Sequence, residues 1–119
     1  MQPVTVLYVG DKSFGEAFRA AGEALNWHVY VPGDLREALG VYVALFPDVV
    51  VLDSAADSKL AEAVHFHLQS VDAGPVIVLS DHVEPEWMKL GDYALPRTAG
   101  LDAVVNAIAD FAEVNLQPS

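Results

Sequence analysis

Two short apolar runs, Val49 to Leu52 and Val76 to Leu79, constrain this chain most, because neither alternates apolar with polar residues. A strand with one wet face shows that alternation, whereas a strand covered on both faces does not. Both runs therefore belong inside a sheet with helices on each side. Between and around them lie stretches with apolar residues at helical spacing, so strand-like and helix-like segments alternate from end to end. That pattern calls for a parallel sheet with crossover helices.

Five such units can be read. Val4 to Val9 is the first strand, followed by a helix with Phe14, Ala17, Phe18, Ala21 and Leu25 on one face and a capping box from Ser13 to Glu16. His28 to Val31 is the second strand. Pro32-Gly33 turns the chain into a helix capped by Asp34 and buried through Leu35, Ala38, Leu39, Tyr42 and Phe46. Asp48 to Asp53 is the third strand, and a helix from about Ser58 to Ser70 turns Leu60, Val64 and Leu68 inward. Gly74-Pro75 launches the fourth strand. The segment from His82 to Arg97 carries the weakest pattern, with helical character only from Pro85 to Leu90 and a very short strand from Tyr93 to Leu95. A last helix, started by Thr98 or Gly100, holds Leu101, Val104, Val105, Ile108 and Phe111 in helical register. The expected architecture is α/β: a three-layer, doubly wound, five-stranded parallel sheet with the flavodoxin-like strand order 2-1-3-4-5.

At 119 residues the expectation is a single domain spanning 1–119, with 115–119 a fraying tail. No run approaches the roughly 20 apolar residues of a membrane span, and the first residues lack the pattern of a signal peptide, so a cytoplasmic location is expected. The absence of cysteine excludes disulfides and thiol catalysis. The formal net charge is −11, and the six Lys and Arg residues are scattered singly, which argues against direct nucleic-acid binding. No glycine-rich phosphate loop follows the first strand. With no nucleophile triad either, an enzyme with turnover is not expected.

In open α/β sheets ligands gather beyond the carboxyl ends of the strands. Asp53 ends the third strand, Asp11 follows the first and Ser80 closes the fourth, so three polar groups stand at three strand tips. Strand order 2-1-3-4-5 would set Asp11 beside Asp53. His65 and His67, two apart on a helix, point to different faces and cannot easily share a metal. Trp27, Tyr30 and Trp87 read as packing at element ends.

With these residues in place, the whole chain resembles the receiver domains of two-component response regulators. In Asp-Val-Val-Val-Leu-Asp, Asp53 holds the place of the family's phosphoacceptor; in Val-Leu-Tyr-Val-Gly-Asp, Asp11 holds the second place of its acidic pair and Gly10 the first. Ser80 matches the hydroxyl that senses the phosphoryl group. In Leu-Pro-Arg-Thr, Arg97 stands where the family has lysine. The resemblance implies a stand-alone receiver that accepts a phosphoryl group on Asp53, with Mg²⁺ held by Asp11, Asp53 and the carbonyl of Ala55. It implies a histidine kinase or phosphotransfer protein as partner, together with an output protein the sequence does not name. A homodimer is the further assembly it allows.

The departures suggest the alternative of a pseudo-receiver, an interaction module that is never phosphorylated. Gly10 removes a carboxylate that would hold a metal-bound water, a loss typically worth about 10- to 100-fold in metal affinity. Arg97 retains the charge but not the compact ammonium, and it is able to hold Asp53 in a standing ion pair. The fourth unit also reads shorter than the family's by roughly one helical turn, on the face many receivers use for output and dimerisation.

Overall fold

The computed structural model describes residues 4–68, 76–80 and 93–111. Five parallel strands lie in the order β2-β1-β3-β4-β5. They are β1 (Thr5–Val9), β2 (His28–Tyr30), β3 (Val49–Asp53), β4 (Val76–Ser80) and β5 (Tyr93–Pro96). The helices are α1 (Lys12–Ala24), α2 (Leu35–Leu45), α3 (Ser58–Leu68) and α4 (Gly100–Phe111), the last entered through a 3₁₀ turn at Arg97–Ala99. The expected three-layer, doubly wound sheet and its strand order are thus both present.

Strand alternation sorts the core into two layers. Val6 and Tyr8 of β1, Val49 and Val51 of β3, and Ile77 and Leu79 of β4 pack with Phe18 of α1 and with Val104 and Ile108 of α4. The intervening residues, Leu7, Val9, Val50, Leu52, Val76 and Val78, pack with Ala38 of α2 and with Ala61, Val64 and Leu68 of α3. Every residue of β3 and β4 is buried, as their unbroken apolar runs require.

Three local expectations are corrected. The start of α1 is capped not by Ser13, which lies inside the helix, but by Asp11, whose Oδ2 accepts from the Phe14 amide at 3.0 Å. The buried stripe of α1 is Gly15, Phe18 and Gly22, while Ala17 and Leu25 face outward. The glycines explain the rotation, since a Cβ at Gly15 would stand 2.6 Å from Val31 Cγ1 and one at Gly22 2.6 Å from Val29 Cγ2. The helix approaches the sheet through its glycines, and the bulkier residues flank that contact. Phe46 is 75 % exposed rather than inward, because it sits past the end of α2 in the left-handed conformation at φ 47°.

Other expectations hold. Asp34 caps α2 through a 2.8 Å bond from the Glu37 amide to its Oδ1. His65 is buried and His67 exposed, on different faces of α3, and Trp27 packs into the core. The turn expected at Gly74-Pro75, the helical character expected from Pro85 to Leu90, Trp87 and the tail from Asn115 lie outside the described residues.

Candidate functional site

The β1–β3 register sets the site. Val6 to Val9 pair with Val49 to Leu52, so the next step along both strands brings Gly10 opposite Asp53. Side chains alternate across a strand, which puts Tyr8, two residues before Gly10, on the same face as Asp53. Its ring lies in the core layer beneath α1, 5.5 Å from Phe14 and 5.9 Å from Phe18 between centroids. Its hydroxyl reaches the strand tip and donates to Asp53 Oδ2 at 2.5 Å. The Tyr8 hydroxyl oxygen in turn accepts from the Asp11 amide at 3.2 Å.

Asp53 is fully buried, and both of its oxygens accept hydrogen bonds. Its Oδ2 accepts from both the Tyr8 hydroxyl and Arg97 Nε, the latter at 2.9 Å, and its Oδ1 accepts from the Ala56 amide at 3.2 Å. Arg97 projects from the end of β5 with its guanidinium carbon 3.9 Å above the centre of the Phe14 ring, a cation–π contact. Its second arm faces Asp11 Oδ2 at 3.8 Å. One guanidinium therefore lies between two carboxylates and tethers the end of the edge strand to the centre of the sheet.

The electrostatics follow from burial and pairing. Burial raises the pKa of the Tyr8 phenol, and the hydrogen bond to Asp53 and its charge raise it further. Tyr8 consequently stays protonated and serves as a donor. Burial works to lower the pKa of Arg97, but the hydrogen bond and charge of Asp53, aided by Tyr8 and Asp11, outweigh it and the net direction is upward. Arg97 therefore remains charged beside Asp53.

Gly10 belongs to the same arrangement. A Cβ there would stand 2.5 Å from Asp53 Cβ, 3.3 Å from Asp53 Cγ and 3.2 Å from the Tyr8 hydroxyl. Real side chains do not pack at the first of these distances. The missing carboxylate is thus a space already taken, by the close approach of Asp53 and by Tyr8.

Of the residues singled out from sequence, Asp11, Asp53 and Arg97 converge. Ser80 is buried, one residue beyond Leu79, which pairs with Asp53, and it follows the alternation of Val76 and Val78 toward the opposite layer. No hydrogen bond joins Ser80 to Asp53 among the described residues. The Ala55 amide is held by the Leu79 carbonyl at 3.2 Å in the turn after β3. Tyr8 was missed, since an aromatic residue in an apolar run reads as core. A signal was present, because a tyrosine buried in a strand must find a partner for its hydroxyl, and this one shares a face with Asp53.

As arranged, these residues do not fit a divalent cation. Mg²⁺ needs open oxygen lone pairs in near-octahedral geometry. Here the Asp53 oxygens accept three protein hydrogen bonds, and Asp11 Oδ2 caps α1 and faces Arg97. Among the described residues, no cluster of three or more His, Asp or Glu is placed to hold a metal.

Sheet order, helix placement and an acid at the β3 tip define the class of architecture: this is the receiver-domain fold. Solved structures with the same fold include the receiver domain of the Francisella response regulator 1452, with a TM-score of 0.77 at 20 % identity over 94 % of this chain and 98 % of that one. The CheY-like response regulator receiver domain from Methylobacillus flagellatus matches with a TM-score of 0.73 at 16 % identity, covering 92 % and 98 %. The chemotaxis response regulator CheY4 of Vibrio cholerae matches with 0.74 at 16 %, also covering 92 % and 98 %. No protein-family model matches the sequence, and no curated protein matches it significantly. No helix among the described residues is long and apolar enough to cross a membrane.

Proposed function

We propose that this chain is a pseudo-receiver: a receiver-fold module of two-component signalling that acts by binding a partner protein and does not turn over a phosphoryl group. One observation carries the reading, the burial of Asp53 with Tyr8, Arg97 and Ala56 on its two oxygens. Phosphorylation of a carboxylate needs an oxygen free to attack in line and a cation to offset the charge that gathers in the transition state. Attack through Oδ2 would first break a buried ion pair, and attack through Oδ1 would displace the Ala56 amide in a position with no solvent exposure. The partner is a histidine kinase, a phosphotransfer protein or an output protein, engaged by surface complementarity.

A specific observation also favours the phosphoacceptor reading, with Mg²⁺ at Asp11, Asp53 and the Ala55 carbonyl and Ser80 as sensor. Asp53 does stand at the carboxyl end of the central strand, beside the β1–β3 switch point where such folds place their ligands. The two readings separate by intact mass. The protein is incubated with a small-molecule phosphodonor and millimolar Mg²⁺, with Asp53→Asn as control. No mass gain is expected. Addition of one phosphoryl group, absent from the Asn variant, would refute the pseudo-receiver reading. In parallel, affinity for the histidine kinase encoded nearest its gene should be the same with and without phosphodonor.

A further inference from the structure

We infer that Arg97 is the site's own cation: its guanidinium takes the charge-neutralising place between Asp11 and Asp53, and Tyr8 completes the set, so the pocket works without a divalent metal. This deepens the pseudo-receiver reading and rests on the same site. It is nonetheless separable, because a carboxylate that is never phosphorylated is still free to bind metal.

Two acids at neighbouring strand tips repel, and one of them, Asp53, has no solvent exposure at all. A buried carboxylate requires both a positive charge and hydrogen bonds to its lone pairs. Arg97 meets both needs. Nε lies 2.9 Å from Asp53 Oδ2 while the other arm faces Asp11 at 3.8 Å, so one group bridges the pair as a bound ion would. The planar fork is fixed from above by the Phe14 ring at 3.9 Å. An ammonium lacks the second arm and the flat face that make this possible.

Tyr8 does the rest. Its hydroxyl gives Oδ2 a second donor and at the same time accepts from the Asp11 amide, linking the two acidic positions from the buried side. Gly10 leaves the gap in which this happens, since any Cβ there would press on Asp53 and approach the hydroxyl. The α1 cap closes the circuit, with Asp11 Oδ2 committed to the Phe14 amide. Each oxygen that a divalent ion would need from Asp53, and Oδ2 of Asp11, faces a protein donor instead.

The inference predicts a division between wild type and a variant lacking the guanidinium. Thermal unfolding is followed in MgCl₂ and in NaCl at matched ionic strength, so that general salt screening cancels. Wild type should show the same Tm in both. Arg97→Ala should unfold at a lower temperature in NaCl and recover in MgCl₂ with a saturable rise of at least about 3 °C, because the ion binds the native state alone. Should that variant not fold in NaCl, Mg²⁺-dependent folding followed by circular dichroism reports the same rescue, and Arg97→Gln removes the same charge while keeping more of the side-chain bulk. The double variant Arg97→Ala/Asp53→Asn, with no buried charge to neutralise, should lose the Mg²⁺ response.

A saturable Mg²⁺ stabilisation of wild type would overturn the inference, as would Arg97→Ala and Arg97→Gln variants that fold but ignore Mg²⁺. Phosphorylation of wild type without any divalent metal would refute the pseudo-receiver reading while bearing out metal independence. Phosphorylation that requires Mg²⁺ would refute both.

Discussion

Tyr8→Phe is the most direct test of the pocket, because it removes one oxygen and leaves the ring. The ring keeps its neighbours Phe14 and Phe18, so no cavity is created and the loss reports the hydroxyl alone. That hydroxyl donates to a fully buried carboxylate at 2.5 Å, and a hydrogen bond to a charged group is worth about 1.5–3 kcal/mol. Loss of the acceptor for the Asp11 amide adds less, since Asp11 is only half-buried and water is able to replace it. Arg97 still pairs with Oδ2, so the charge is not orphaned and the expected cost is about 2–3 kcal/mol. For a domain of this size that corresponds to a fall in Tm of about 8–12 °C. Urea denaturation should show a lower midpoint at unchanged slope.

A second arm of the same experiment uses pH. The Tyr8 phenol has its pKa raised above the ordinary 10.0, so above pH 10 the unfolded chain gives up a proton that the native state keeps. The contribution of Tyr8 is therefore whole below pH 10 and declines as pH rises toward the raised value, by about 1.4 kcal/mol per pH unit. Wild type should lose stability more steeply than Tyr8→Phe across that alkaline range by this amount. A cost below about 0.5 kcal/mol at neutral pH, with the same alkaline slope in both proteins, would refute the role assigned to the hydroxyl.

Three further substitutions probe the frame around the pocket. Gly10→Ala should destabilise by about 1–3 kcal/mol in chemical denaturation, because its Cβ meets Asp53 Cβ rather than a flexible side-chain end. Gly22→Ala should cost a net amount of about 1–2 kcal/mol, the gain in helix propensity being smaller than the overpacking against Val29; a stabilised variant would show that α1 does not rest on its glycines. Asp34→Ala should cost about 1 kcal/mol by removing the α2 cap, with Asp34→Asn close to wild type in the same denaturation assay.

The strands were legible because burial on both faces leaves a direct trace in composition, whereas their order rested only on the commonest arrangement of five βα units. Asp53 and Asp11 were legible for a related reason, as acids that end or follow apolar strands. Helix faces were read less well, since periodicity scores apolar residues and gives no weight to glycine, yet Gly15 and Gly22 set the rotation of α1. Asp11 was read as a ligand and Ser13 as the cap, whereas the cap falls to Asp11; both residues suit the role, and only the backbone decides. Ser80 illustrates the opposite limit. Its place at a strand tip was correct, but one residue of register separates it from the step that pairs with Asp53.

Read singly, Gly10, Tyr8 and Arg97 are a lost acid, a core aromatic and an imperfect replacement for lysine. The geometry makes them one change. The Tyr8 hydroxyl reaches Asp53 Oδ2 through space that a side chain at position 10 would enter, and Arg97 shares that same oxygen from the β5 side. Restoring the acid alone should therefore fail: in Gly10→Asp the new Cβ meets Asp53 before its carboxylate reaches any cation, and the variant should lose stability without gaining affinity for Mg²⁺ in calorimetry. Adding Arg97→Lys to Gly10→Asp should not rescue it, because the Cβ at position 10 still meets Asp53 and a positive side chain still faces Oδ2. Any route back to an open carboxylate starts at Arg97, whose guanidinium neutralises Asp53, and only then do the Tyr8 hydroxyl on Oδ2 and the space beside Asp53 set how tightly an ion is held.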